Sequence, residues 1–116
     1  PTFMMDAARV ALECEDSVNE FNQEYLKRRE LMMEGLSSLP GIRVPEPEGA
    51  FYVFADVTGT GMSDVEFADG ALEAGVQLIP ASLIAGGEGF VRVSYAVDEG
   101  VIEEGLRRFR SWLGEE

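Results

Sequence analysis

Histidine is absent from this 116-residue chain, and Cys14 is its single cysteine. Without them no Ser-His-Asp or Cys-His arrangement can be assembled, and neither a His-ligated metal site nor a disulfide framework can form. Lysine is almost missing too, Lys27 being the only one against eight arginines. No apolar run approaches the ~20 residues of a membrane helix, and the N-terminus lacks the basic-then-apolar pattern of a secretory signal. These absences predict a soluble, cytoplasmic protein with no membrane partner. Positive charge is scarce as well: the formal net charge is −13, which opposes nucleic acid or an anionic membrane as a partner. Acid excess with so little lysine suggests a halophilic protein, working where salt screens surface repulsion.

What is present suffices for one compact domain over residues 1–116, since 46% of the chain is hydrophobic. Phe3 to Leu12 reads as a short apolar helix with little polar surface, which wants a partner on more than one side. Ser17-Val18-Asn19-Glu20 has capping-box spacing and predicts the start of a long helix. Its stripe runs through Val18, Phe21, Tyr25, Met32 and Leu36, and Leu39-Pro40-Gly41 stops it. Residues 1–40 are thus lead-in helices, and 41–116 hold a sheet with packed helices. Strands are expected at Ile42–Val44, at Ala50–Val57 as a central strand, at Val76–Ile79 and at Phe90–Ala96. Between them Ser63-Asp64-Val65-Glu66 is a second capping box, opening a helix with Val65, Phe67, Ala68, Ala71 and Leu72 inward. Asp98 caps a last helix with Val101, Ile102, Leu106, Phe109 and Leu113 inward. The order predicts an α+β two-layer sandwich: a small, mainly antiparallel or mixed sheet with helices on one side, preceded by a long helix.

The stretch Gly87-Glu88-Gly89-Phe90-Val91-Arg92-Val93-Ser94-Tyr95-Ala96 carries the clearest chemical signal. Strand alternation puts Val91, Val93 and Tyr95 on one face and Phe90, Arg92 and Ser94 on the other. An arginine in an apolar run presents a rigid fork suited to a planar anion such as a carboxylate or phosphate. A solvated sheet face would hold the same residue without any ligand. Gly86-Gly87-Glu88-Gly89 precedes a strand rather than a helix and reads as a turn, not a phosphate cradle. Glu13, Glu20, Glu24, Asp64, Glu103 and Glu104 fall on helix faces or caps, where solvated charge is the default. Phe51, Tyr52 and Phe54 could wall a ligand, though core packing accounts for them first, and Met4, Met5, Met32 and Met33 read as packing.

Three stretches together resemble a known family. Pro47-Glu48-Gly49-Ala50-Phe51-Tyr52-Val53-Phe54, Val76-Gln77-Leu78-Ile79-Pro80-Ala81-Ser82 and the Arg92 stretch are similar, in order and spacing, to the C-terminal small domain of pyridoxal-phosphate-dependent class I/II aminotransferases of the aspartate aminotransferase type. The resemblance covers nearly the whole chain and includes the long helix before Leu39-Pro40-Gly41. It implies that Arg92 binds the α-carboxylate of an amino-acid substrate. It also implies a longer parent enzyme, usually a homodimer, in which a large cofactor domain absent from this chain supplies the Schiff-base lysine and holds pyridoxal 5'-phosphate. Lys27, in Lys27-Arg28-Arg29-Glu30, reads as a surface residue, so the chain alone is expected to bind no cofactor and to be inactive. No catalytic or metal-ligating residue is expected in it.

The chain departs from the family pattern at Pro80-Ala81-Ser82-Leu83-Ile84-Ala85. There the usual Pro-Gly-Ser followed by an aromatic is missing, which leaves substrate choice near the loop open. Two other readings compete: a free-standing small-molecule-binding or regulatory module holding a carboxylate on its sheet face, and a structural interaction domain docking through its first helix.

Overall fold

The computed structural model describes residues 1–84 and 86–114. Its helices are α1 (Thr2–Ala11), α2 (Glu15–Ser37), α3 (Asp64–Glu73) and α4 (Glu99–Leu113), and its strands β1 (Tyr52–Asp56), β2 (Ile79–Pro80) and β3 (Phe90–Ser94). The strands form one antiparallel sheet in the order β1-β3-β2. Val53, Ala55, Val91 and Val93 on one face enter a core with Leu36 of α2, Phe67 of α3, and Leu106 and Phe109 of α4. Burying each such large side chain contributes roughly 1.5–3 kcal/mol, so this face holds the two layers together. The expected α+β sandwich with helices on one side is therefore the observed fold. Close approach of α2 to α4 depends on Gly35, where a Cβ would overlap the Leu106 side chain.

Local signals fared unevenly. The box at Ser63 formed: its hydroxyl accepts from Glu66 N at 3.2 Å, and the Glu66 carboxylate accepts from Ser63 N at 2.9 Å. The box at Ser17 did not. The short turn after α1 brings Val18 N within 3.3 Å of the Cys14 carbonyl, so the α2 ladder is already running at Ser17 and Cys14 is the N-cap. Asp98 is the N-cap of α4 but makes no side-chain cap bond. Its carbonyl accepts from Val101 N and Ile102 N instead.

The strand expected at Ile42–Val44 shrinks to a single bridge between Arg43 and Asp56, because Pro45 and Pro47 offer no donors beyond it. Val76–Ile79 likewise pairs only at Ile79 and Pro80. The segment expected to be central, Ala50–Val57, gives the edge strand β1, and β3 takes the centre. Strand order depends on crossovers, which local apolar pattern does not encode.

Several apolar residues expected inward face out: Val65 (41% exposed), Leu72 (61%) and Val101 (57%) flank helix stripes that are narrower than their hydrophobicity suggests. The N-terminal region differs most. All of α1 is exposed, as are Val18 and Phe21 of α2, while Met32 and Leu36 farther along the same helix are buried. Met4 and Met5, expected to pack, are exposed as well. The sheet and α4 lie beside the second half of α2, and no described residue covers the first. No helix among the described residues is long and apolar enough to cross a membrane.

Candidate functional site

The candidate site lies on the sheet face opposite the buried Val91 and Val93. Antiparallel register sets Arg92 opposite Phe54 on β1 and opposite Ile79 on β2, at the middle of the sheet. Val91 and Val93 are buried and Arg92 is half-buried, as alternation along β3 requires. The Arg92 guanidinium lies over the Tyr52 ring, with Cζ 4.3 Å from the centroid. Stacking of this kind holds the fork in place while its N–H edge remains able to donate in the plane.

The other arginines sharpen what is unusual here. Arg28 faces Glu24 and Asp98, Arg29 faces Glu46, Arg43 holds Asp56, and Arg107 and Arg108 share Glu104. Arg9 and Arg110 are exposed helix residues. Arg92 alone among the eight is half-buried without a carboxylate from the described residues within 4.0 Å. A cleft of ≈ 270 Å³ adjoins it, lined by Tyr52, Gln77, Leu78, Ile79, Arg92 and Ser94. That space suits a small carboxylate rather than a nucleotide. A larger groove of ≈ 510 Å³ runs between α4 and residues 75–77, but the charged groups lining it, Glu104 and Arg108, already pair with each other.

Aromatic rings extend the site away from Arg92. Phe51 lies 4.4 Å from Tyr52 and 6.4 Å from Tyr25 on α2, centroid to centroid. Phe51 and Phe54 are each 39% exposed, so core packing does not account for them. The backbone leading into β1 is strained at Ala50, whose φ is +59°. Tyr95 braces that point, its hydroxyl donating to the Ala50 carbonyl at 2.8 Å and its amide to the Phe51 carbonyl at 2.9 Å. Burial pushes the Tyr95 phenol above its ordinary range, which keeps it a neutral donor.

Two buried carboxylates lie beside the sheet. Asp56 accepts from the Thr58 hydroxyl at 2.6 Å, from Thr58 N at 3.0 Å and from Arg43 at 2.7 Å. Asp64, expected to be solvated, is only 4% exposed. It accepts from Ser82 N at 3.0 Å and Gly89 N at 3.5 Å. Both stay below the ordinary carboxylate range despite burial, Asp56 chiefly through the Thr58 hydroxyl and Asp64 chiefly through Ser82. Neither Tyr52 under Arg92 nor the burial of Asp64 was found from sequence. Period-two alternation shows which residues share a face but not which strands pair.

Groups that could hold a cofactor do not converge here. Lys27, the one lysine, is exposed on α2, and among the described residues no cluster of three or more His, Cys, Asp or Glu side chains could take a metal. Pyridoxal phosphate needs a lysine in a pocket and a phosphate cradle, and the residues present do not fit it. In the loop that departs from the family pattern, Leu83 and Ile84 are exposed, and Ala85 lies outside the described residues.

No protein-family model matches the chain. Its sequence is 41% identical to an aspartate aminotransferase of Pyrococcus horikoshii over 97% of this chain and 30% of that protein. It is 40% identical to a probable aspartate/prephenate aminotransferase of Aquifex aeolicus over 86% of this chain and 26% of that protein. Among solved structures, an aromatic aminotransferase from Pyrococcus horikoshii superposes with a TM-score of 0.80 at 35% identity, covering 85% of this chain and 27% of that one. The Thermus thermophilus aspartate aminotransferase with maleate gives 0.78 at 37% identity, covering 84% and 25%. The chain is thus homologous to fold type I, pyridoxal-phosphate-dependent aminotransferases, and spans 30% of the Pyrococcus horikoshii relative and 26% of the Aquifex aeolicus one.

Proposed function

We propose that this homologue of the aspartate and aromatic aminotransferases is the substrate-carboxylate-binding small domain, residues 1–116, of a cytoplasmic enzyme that moves an amino group between an amino acid and a 2-oxo acid. The observation that carries the reading is Arg92 itself, half-buried beside a small cleft, stacked on Tyr52, and lacking a carboxylate partner among the described residues. A relative crystallised with maleate, a dicarboxylate, supports a carboxylate as the ligand. Pyridoxal 5'-phosphate would be held by a larger domain, not by these residues, and the isolated chain would be inactive. The whole enzyme would be a homodimer, as expected from the resemblance.

In that setting the chain's part is positioning. The two parallel N–H donors of Arg92 take both oxygens of the α-carboxylate, which holds the carboxylate in the plane of the fork and sets the direction of its bond to the α-carbon. Tyr52 fixes the plane of the fork, and Phe54 and Ile79, its cross-strand neighbours, flank it. Lysine cannot reproduce the fork, because its ammonium is a compact charge with no planar edge. Arg92→Lys in the full-length enzyme is therefore expected to raise KM for the amino acid about 10- to 100-fold, the equivalent of roughly 1.5–3 kcal/mol for charge-assisted hydrogen bonds. Steady-state kinetics with varied amino acid measure it, and an unchanged KM would reject the assignment.

A further inference from the structure

We propose that Asp64 is a positioning residue for this site: its buried carboxylate ties together the two ends of the 81–89 loop and so holds β2 against β3 beside Arg92. The inference rests on the reading of Arg92 given above and extends it to the group that keeps the cleft's edge strand in place.

β2 cannot hold itself there. It pairs with β3 only at Ile79, opposite Arg92, and at Pro80, opposite Val91, and proline contributes no N–H to the ladder. Yet Leu78 and Ile79 form one wall of the cleft. Some other attachment must fix that wall relative to the guanidinium, and the two ends of the following loop supply it. Ser82 stands two residues after Pro80, in the 3₁₀ turn Ala81–Leu83. Gly89 stands immediately before Phe90, the first residue of β3. Both amides donate to Asp64, Ser82 to Oδ2 and Gly89 to Oδ1. One carboxylate therefore spans the loop's two ends.

The anchor and the points it grips are themselves fixed. Asp64 is the first residue of α3, whose N-terminus is closed by the Ser63/Glu66 box, and α3 is seated in the core through Phe67 and Ala71. Gly89 has φ +82°, and a Cβ there would run into Thr58 Cγ2. Its carbonyl accepts from Val57 N at 2.9 Å. Ala81 is fully buried. None of the ion pairs among the described residues uses Asp64. Its charge is met by the Ser82 hydroxyl, by amide hydrogens and by the positive end of α3, so the carboxylate serves the loop and not a neighbouring cation.

Asp64→Asn keeps the size but turns one acceptor oxygen into an NH₂ donor facing an amide N–H, so one loop end is released. In the full-length enzyme KM for the amino acid is expected to rise about tenfold, the scale of one charge-assisted hydrogen bond, while kcat falls less than about threefold. Asp56→Asn is the control, since it removes a similarly buried carboxylate outside the cleft and should leave KM within about twofold. Amide hydrogen exchange at Ser82 and Gly89 should quicken in Asp64→Asn and not in Asp56→Asn. If Asp64→Asn does not fold, Ser82→Pro, which deletes both the amide and the hydroxyl that Ser82 offers Asp64, carries the same expectation. An unchanged KM in Asp64→Asn, or an equal rise in the two Asp→Asn variants, overturns the inference while Arg92→Lys still raises KM. An unaffected Arg92→Lys removes the reading beneath it and the inference with it.

Discussion

The two faces of the three-stranded sheet use the same strands to opposite ends. On the covered face Val53, Ala55, Val91 and Val93 are almost completely buried against three helices. On the other, Tyr52, Phe54, Ile79, Phe90, Arg92 and Ser94 are half-buried or exposed. The first face has every apolar group paired with another, and its residues account for stability. The second leaves Arg92 without a carboxylate from the described residues, beside part-exposed aromatic rings and a small cleft, and stability does not explain them. One alternation of side chains separates what folds the protein from what it presents.

Truncating one side chain on each face separates their roles. Phe109→Ala, behind the covered face, is expected to cost about 3–5 kcal/mol by leaving a cavity among tightly packed neighbours. Arg92→Leu, on the open face, should change stability by less than about 1 kcal/mol, because it loses only a stacking contact with Tyr52. Urea unfolding of the chain followed by circular dichroism measures both. Comparable losses would mean that the open face is structural after all.

Acid tests the buried carboxylates that brace the sheet. Asp56 and Asp64 are both depressed below the ordinary value. Their contribution is thus complete above the unfolded pKa of about 3.9 and is lost as pH falls through the lower folded values. Stability should accordingly fall steeply below about pH 4, and less steeply in Asp56→Asn or Asp64→Asn. Glu104, held at about 2 first by Arg107 and then by Arg108, is exposed. Solvent and salt screen that cluster, so Glu104→Gln should leave the acid profile nearly as it is. An acid limb that Glu104→Gln flattens more than Asp64→Asn would contradict this ordering.

The alternation at β3 and the box at Ser63 could be read from sequence because each is decided within a few residues. Arg92 emerged for the same reason: a charge in a strand must choose a face. Where residues distant in sequence decide, local pattern was insufficient. Ser17-Val18-Asn19-Glu20 has the spacing of a cap, but the turn after α1 had already started the helix. Ala50–Val57 has the composition of a central strand, yet β3 lies between it and β2. Asp64 follows a cap residue and looks solvated until residues 82 and 89 fold over it. Tyr52 becomes the platform for Arg92 only through pairing of β1 with β3. The Val18 and Phe21 half of α2 carries an apolar stripe that no described residue covers, which fits a chain that spans only part of its relatives.

The smallest effect concerns the surface as a whole. With a net charge of −13, repulsion between exposed carboxylates should weaken as salt screens it. The urea midpoint is expected to rise in molar KCl by the equivalent of about 1 kcal/mol or less, with no change in the ranking of the two faces. An equal or lower midpoint would remove the case for salt adaptation.

On the proposed reading Arg92 is kept for a ligand and not for the fold. Equilibrium binding of maleate to the full-length enzyme, set beside the unfolding midpoint of the same samples, tests it most directly. Arg92→Lys should weaken maleate binding at least about tenfold and leave the midpoint where it was. Binding as tight as in the parent protein, or a loss of binding matched by a loss of stability, would contradict the account.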